Sequence, residues 1–152
     1  MSTFDADAFM QETVDAEMDT VVLPCPPGTY SAQIEDIKVR EIESNGEKRY
    51  PMDVIYNVLD DAVRNELGRE KVTVRQTIWL DFDPVTGKLD ASKGKNVGLG
   101  KLREACGMNA SGKAFSLLQL KDQQVSIVTG LRADKNDATI KYAEVKTVGR
   151  AA

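Results

Sequence analysis

The residues best suited to chemistry lie in one segment, 71–82, in which apolar and polar side chains alternate. Such alternation is typical of a strand with one buried face and one open face. The open parity carries Arg75 and the only Trp of the chain, Trp79. An indole beside a guanidinium can stack an unpaired base and bind its phosphate. The alternative is a Trp packed beneath a loop, which is common for a strand Trp. The buried parity is interrupted only by Gln76 and otherwise holds Val72, Val74, Ile78, Leu80 and Phe82.

Lysines form a second group of candidate binding residues. Lys93 and Lys95 flank a glycine directly before residues 97–106, which have helical apolar spacing. Free N–H groups at a helix start favour phosphate, so both lysines are candidate phosphate ligands, and a solvated loop is the alternative. The spacing is not that of a nucleotide-binding P-loop. Basic residues near the last strand either extend this surface or protect a strand edge from aggregation: Arg132, Lys135, Lys141, Lys146 and Arg150.

Carboxylates at Asp81, Asp83 and Asp90 suggest metal or acid–base chemistry. However, Gly87 stands one position late for a calcium loop, and the final bidentate Glu is missing. The chain has no His, which removes the usual catalytic triads and imidazole ligands. We therefore expect no catalytic residue, no metal and no cofactor. An enzyme that acts on nucleic acid through Asp81, Asp83 and a metal remains as an alternative.

Length and composition indicate one globular domain. The 152 residues are 41% hydrophobic and 29% charged, which are ordinary globular values. No apolar run is long enough to span a bilayer, and the acidic N-terminus does not resemble a secretory signal. Cys25 and Cys106 are too far apart for zinc-type spacing, and we expect both to be reduced thiols. These features predict a cytoplasmic protein that does not contact membranes.

The net charge of -4 is unevenly distributed along the chain. Residues 1–22 contain six acidic residues and no Lys or Arg. Subtracting these six from the 24 acidic residues leaves 18 against 20 Lys and Arg, so the rest of the chain is weakly basic. Such a charge permits polyanion binding without requiring it. The pattern predicts an acidic N-terminal arm at 1–22 and a domain at 23–152.

The arm ends at a Pro-rich breaker, Pro24–Gly28, and its spacing of Phe4, Ala8, Val14 and Met18 suggests a short amphipathic helix. An acidic arm can imitate DNA and compete for the basic surface of its own domain, or it can recruit partner proteins. The alternatives are a solvated tail or a helix docked on its own domain.

The remaining pattern predicts five strands and one helix. Within the first strand the apolar parity changes near Glu35 and Asp36, as at a β-bulge. Asn45-Gly46 is a hairpin turn signal, and residues 60–70 form a helical turn that ends at Gly68. We predict strands at 29–42, 50–59, 71–82, 124–131 and 139–148, with the helix between the third and fourth. This order, with a bent first strand, favours a mainly β five-stranded Greek-key barrel of the OB type, whose second and third strands commonly bind ligands.

Three stretches carry a resemblance to a known group of proteins: 27–34 (PGTYSAQI), 71–81 (KVTVRQTIWLD) and 94–105 (GKNVGLGKLREA). In these the chain resembles bacteriophage proteins found with replication and recombination genes, including OB-fold single-stranded-DNA-binding proteins. The resemblance implies phage replication or recombination proteins as partners. Many such proteins end in an acidic tip that recruits partners, whereas this chain ends VGRAA. The N-terminal arm is the candidate for that role here.

These features together favour a non-enzymatic protein that coats single-stranded DNA, with a homo-oligomer compatible with the sequence. Trp79 would stack bases, joined by Tyr50 or Tyr56 if either faces outward. Cations would neutralise phosphates: Lys71, Arg75, Lys93, Lys95 and Lys141. The alternative is a protein-interaction module or inhibitor that uses the acidic arm as a DNA mimic. Deleting residues 1–22 separates the two, because only the alternative loses its activity.

Overall fold

Alternating side chains build a closed barrel of five strands. The computed structural model describes residues 3–20 and 22–151. The elements are α1 (Ala6–Met10), β1 (Gly28–Val39), β2 (Ile42–Ser44), β3 (Glu47–Val58), α2 (Asp61–Leu67), β4 (Thr73–Leu80), α3 (Val97–Ala105), a 3-10 turn (Leu117–Leu120), β5 (Gln124–Ala133) and β6 (Lys141–Arg150). The mainly β class is therefore confirmed.

The ring runs β1-β3-β4-β6-β5 and returns to β1. All of its pairs are antiparallel except β4–β6, which is parallel and has one residue pair, Arg75 with Glu144. The closed five-stranded barrel agrees with the sequence prediction and is consistent with an OB-like barrel. Side chains from every barrel strand fill its interior, among them Ile34, Val54, Ile78, Ile127 and Val145.

A β-bulge bends β1 at Glu35. Ile34 lies opposite Tyr56 of β3, and Asp36 lies opposite the preceding residue, Ile55, so Glu35 is the extra residue. The apolar side changes accordingly from Ala32 and Ile34 to Ile37. The change of parity in the sequence predicted this feature, which lets a strand curve around a small barrel.

A two-residue hairpin loop joins β2 to β3. Asn45 and Gly46 have φ values of 53° and 78°, as a type I′ turn requires, and Ser44 pairs with Glu47. The first predicted strand, 29–42, is thus divided, since β1 ends at Val39 and Ile42 begins β2. β3 begins three residues earlier than predicted, because the turn leads directly into the ladder.

Two helices follow the central strands. α2 is capped by Asp60, whose side chain accepts a hydrogen bond from the Val63 N–H (3.2 Å), and it ends at Gly68 in the left-handed conformation. α3 buries Leu99, Leu102 and Ala105 against the barrel. None of the helices formed by the described residues is long and apolar enough to cross a bilayer.

The N-terminal segment contrasts with the barrel. Every residue of 3–20 is exposed, and α1 is a helix of five residues that begins after Asp5, shorter than the apolar spacing suggested. Cys25, by contrast, is 2% exposed and belongs to the core. The Cys25 segment therefore anchors the exposed segment to the barrel.

Candidate nucleic-acid interface

Trp79 stands on the outer face of β4, as the alternation predicted. Val74, Ile78 and Leu80 are buried, whereas the residues of the opposite parity are exposed. The Trp79 side chain is 52% exposed and lies opposite Pro51 of β3. The guanidinium carbon of Arg49 lies 5.9 Å from the centre of the indole ring. A half-exposed indole beside a cation offers a stacking surface that a Trp beneath a loop would lack.

Two concave surfaces share the Trp79 indole as a wall. The hairpin groove, with a volume of about 360 Å³, is lined by Lys48, Arg49, Tyr50, Trp79, Asp81 and Phe82, among others. The strand cleft lies between β4, β6 and α3 and has a volume of about 390 Å³. Its lining includes Thr77, Trp79, Gly98, Lys101, Lys146 and Thr147. The indole is therefore flanked on each side by two basic residues.

A third concavity, the helix cavity, adjoins the strand cleft through Lys101. It has a volume of about 520 Å³, and its lining includes Lys95, Val97, Lys101, Arg103 and Phe115. The guanidinium carbon of Arg103 lies 4.2 Å from the centre of the Phe115 ring, and Nη2 donates to the Met108 carbonyl (3.0 Å). We call the hairpin groove, strand cleft and helix cavity together the basic track. They are joined by two shared residues, Trp79 and Lys101.

The cations of the basic track differ in how far they are already neutralised. Lys48 forms an ion pair with Glu41 (3.7 Å), and Arg49 forms one with Glu47 (4.0 Å). Among the described residues, Lys95, Lys101 and Lys146 form no ion pair within 4.0 Å. Exposed ion pairs contribute little stability, so Lys48 and Arg49 can exchange theirs for a phosphate at small cost.

Two aromatic candidates have different surroundings. Tyr50 is half-buried, lines the hairpin groove and meets the Phe82 ring edge-on, with centroids 4.8 Å apart. Tyr56 is wholly buried, and its hydroxyl donates to the Gln76 Oε1 (2.6 Å). Tyr56 therefore cannot stack a base, and its proposed role depended on an outward orientation that the structure does not have. Burial also raises the pKa of Tyr56, which keeps the phenol protonated as a donor.

The remaining predicted cations are spread over the surface. Lys71 forms an ion pair with Glu35 at the bulge of β1. Lys93 is exposed in the loop before α3, and Lys95 lines the helix cavity. Arg75 and Lys141 lie together elsewhere, in a groove that also includes Arg69 and Tyr142. The structure therefore places Trp79 and Lys95 on the basic track. It places Arg75 and Lys141 together in a different groove.

Residues 22–25, which join the N-terminal segment to the barrel, line a groove that we call the arm groove and that has a volume of about 300 Å³. Leu23 and Cys25 line it together with Arg69, Arg75, Lys141 and Tyr142. The guanidinium of Arg69 donates to the Leu23 carbonyl. Asp19 and Thr20 line an adjoining groove that also includes Lys141. The acidic segment thus leaves the barrel beside two of the predicted phosphate ligands.

A buried carboxylate fixes the surface next to Trp79. Asp53 is 5% exposed and receives hydrogen bonds from Arg40 Nε (2.6 Å) and Thr77 Oγ1 (3.1 Å). Burial alone would raise the pKa of Asp53, but these bonds and the charges of Arg40 and Arg75 together lower it. Asp53 therefore stays ionised and holds Arg40, which is accordingly less available to a ligand than Arg75.

The loop 81–96, which carries the three candidate carboxylates, is organised by Asn96. Its side-chain oxygen accepts the Asp81 N–H (2.7 Å), and its amide donates to the carbonyls of Asp81 and Asp90 (2.8 Å each). The Asp81 carboxylate accepts the Asn96 N–H (2.9 Å), and the hydroxyl and N–H of Ser92 lower the pKa of Asp90. Within 3–20 and 22–151, no group of three or more acidic or Cys side chains is placed to hold a metal ion. The hydrogen bonds between Asp81, Asp90 and Asn96 hold the two ends of this loop together directly before α3.

Sequence reasoning missed several residues of the basic track. Arg49 lies on β3, whereas Lys101 and Arg103 lie on α3, so their neighbourhood depends on the β3–β4 register and on the docking of α3. Its position in a charged run directly after the Asn45-Gly46 turn was the only local signal for Arg49. No protein-family model matches the chain, and no curated protein matches it at a significant level.

Proposed function

We propose that this protein binds single-stranded DNA without catalysis and coats it during replication or recombination, through the outer face of an OB-like barrel. The observation that supports this most is the position of the Trp79 indole, half-exposed between two concavities that each contain two basic residues. Stacking platforms in a basic groove are the usual means of binding single strands without sequence preference. The resemblance to phage proteins favours a phage setting.

The proposal assigns bases and phosphates to different parts of the track. Bases stack on Trp79, with Tyr50 beside it in the hairpin groove. Phosphates contact Arg49 on one side, and Lys101 and Lys95 on the other. Arg75 stands four residues from Trp79 on the same face, about 13 Å away at strand spacing, and offers a second route for the backbone. Lys71, Lys93 and Lys141 then act as peripheral phosphate contacts.

Salt dependence tests the cationic part of this proposal. Trp79 fluorescence is titrated with oligo-dT at several salt concentrations, for the wild type and the double variant Arg49→Ala, Lys101→Ala. We expect saturable quenching, and the slope of log K against log salt should fall in magnitude by about 1.4 in the variant, since each phosphate contact to a single strand contributes about 0.7.

The matched control is Lys113→Ala with Lys121→Ala, which removes the same charge from exposed positions that do not line the basic track. This control should keep the wild-type slope. An equal loss of slope in both double variants would show that net charge, and not the basic track, determines binding. Absence of any complex with oligo-dT would end the proposal.

The second candidate function, an acidic arm that imitates DNA, is favoured by the position of that arm. Its root lines the arm groove with Arg75 and Lys141, so six carboxylates are tethered beside two predicted phosphate ligands. If the protein coats DNA, deleting residues 1–22 should leave affinity for oligo-dT unchanged or raise it, because a competing polyanion is removed.

A length-matched control replaces the six acidic residues of the arm by Asn and Gln. It should reproduce the deletion if charge is responsible. Loss of oligo-dT binding in both variants, with the melting temperature unchanged, would instead make the arm part of the binding surface. Inhibition of a DNA-binding enzyme that disappears with the arm would support the DNA-mimic function.

A further inference from the structure

The closed ring of strands has its shortest ladder between β4 and β6. β4 pairs with β3 along its whole length, and β6 pairs with β5 along nearly all of its own. Between β4 and β6, however, the only residue pair joins Arg75 to Glu144. Beyond Arg75 the two strand edges face each other across the strand cleft. Main-chain groups of 76–79 that point away from β3 therefore have no strand partner among the described residues.

The walls of the strand cleft are chemically mixed. One wall is β4 with the Thr77 hydroxyl and the Trp79 indole, and the opposite wall is β6 with Lys146 and Thr147. The floor is α3, which approaches β4 so closely that a Cβ on Gly98 would lie 3.1 Å from the Ile78 Cγ2. The volume of about 390 Å³ is within the range of small-molecule sites, about 300–1,000 Å³.

We propose that the strand cleft binds one nucleotide, with its base against the Trp79 indole and its phosphate toward Lys101. The inference rests on the proposed function and adds to it a defined subsite, which lies between β4, β6 and α3 beside the outer face of the sheet. The indole supplies a flat apolar surface, and the free strand edges supply hydrogen-bonding groups for the edge of the base. An extended peptide would need strand spacing of about 4.8 Å on both sides along several residues, and the two basic residues favour an anionic ligand.

The hydrogen-bonding edge of a base held in this way determines how well that base fits the strand cleft. Stacking tolerates every base, but fixed donors and acceptors in a cleft leave unpaired groups when the wrong base enters. The strand cleft therefore gives the protein a base preference at one position of the bound strand. The same chemistry is offered by a free nucleotide and by a nucleotide within a strand, and the experiment separates these two sources.

The test uses the full chain, Trp79 fluorescence and two kinds of probe. The first probe is each of the four deoxynucleoside monophosphates, and the second is a set of oligonucleotides of about ten residues that differ in base. Thr147→Phe fills the cleft from an exposed position of β6, and Thr139→Phe adds the same ring at an exposed position outside the cleft. Lys101→Glu, with Lys113→Glu as its control, tests the phosphate contact without adding bulk.

In the wild type we expect quenching by monophosphates and an unequal affinity for the different oligonucleotides. Thr147→Phe should abolish quenching by monophosphates, weaken oligonucleotide binding about tenfold and make the bases equivalent. Lys101→Glu should weaken the binding of both monophosphates and oligonucleotides. The control variants Thr139→Phe and Lys113→Glu should bind both as the wild type does.

The outcomes distinguish this inference from the proposed function. If oligonucleotides bind in a salt-dependent manner but no monophosphate quenches Trp79, or if Thr147→Phe binds as the wild type, the cleft inference is wrong and the coating function stands. If monophosphates bind and oligonucleotides do not, the cleft is a site for free nucleotides and the coating function is lost. Binding of neither probe overturns both.

Discussion

Replacing Trp79 by Ala should weaken binding of oligo-dT by about 5- to 150-fold while leaving the fold intact. The range corresponds to about 1–3 kcal/mol for one stacked base. Trp79 is 52% exposed and its outward position contributes little to the core, so the free energy of unfolding should change by no more than about 1 kcal/mol. Fluorescence of the indole is lost in this variant, so affinity is measured by mobility shift or with a labelled oligonucleotide.

Two variants serve as controls for Trp79. Trp79→Phe retains a flat ring and should recover most of the affinity. Tyr142 is similarly exposed (42%) and has the Arg132 guanidinium carbon 5.8 Å from its ring centre, but it lies in the arm groove. Tyr142→Ala should therefore weaken binding less than threefold, at about 0.6 kcal/mol or less. A larger loss with Tyr142→Ala than with Trp79→Ala would move the binding surface to the arm groove.

Replacing Tyr56 by Ala should lower the free energy of unfolding by about 3–5 kcal/mol, the usual cost of truncating a large buried aromatic. Tyr56 is among the largest side chains that the barrel buries completely. Urea unfolding followed by circular dichroism measures the change. Because this loss is comparable to the whole stability of many small domains, binding is compared through a milder substitution.

Tyr56→Phe keeps the ring and removes only the hydroxyl that donates to Gln76. It should cost about 1 kcal/mol of stability and leave oligo-dT affinity within twofold of the wild type. Ile55→Val, at a half-buried neighbour of β3, is a control for mild loss of packing. Reduced affinity in Tyr56→Phe at unchanged stability would contradict the assignment of Tyr56 to the core.

Local patterns were sufficient for much of the barrel. The alternation of 71–82 placed Trp79 outward and Val74, Ile78 and Leu80 inward. Asn45-Gly46 marked a hairpin turn, and the change of parity near Glu35 marked the bulge. Each of these features is decided by neighbours within a few residues, so the chain reveals them without knowledge of the fold.

Gln76 and Tyr56 show where local patterns were insufficient. Gln76 looked like an interruption of the apolar face, but it supplies the acceptor that the buried Tyr56 hydroxyl requires. The two residues are 20 positions apart in the sequence, and only the β3–β4 register brings them together. The shared parity of Tyr56 with Met52 and Val54 was the correct signal for its burial.

The basic track depends even more on long-range geometry. Lys48 and Arg49 lie near Trp79 because the β3–β4 ladder begins at Tyr50, directly after them, and Lys101 lies near it because α3 packs beside β4 and β6. Lys71 was assigned to phosphate from its charge, but the bulge presents Glu35 to it as an ion-pair partner. Charge and exposure can be anticipated from the sequence, whereas the pairing of charges requires the assembled barrel.

The single residue pair between β4 and β6 also affects how the barrel opens. Local opening is easiest where the fewest hydrogen bonds and buried contacts must break, and this junction has one residue pair where its neighbours have long ladders. We therefore expect the β4–β6 junction to open before the other strand pairs of the ring. Amide hydrogens at that edge should exchange with solvent sooner than those shared between β3 and β4.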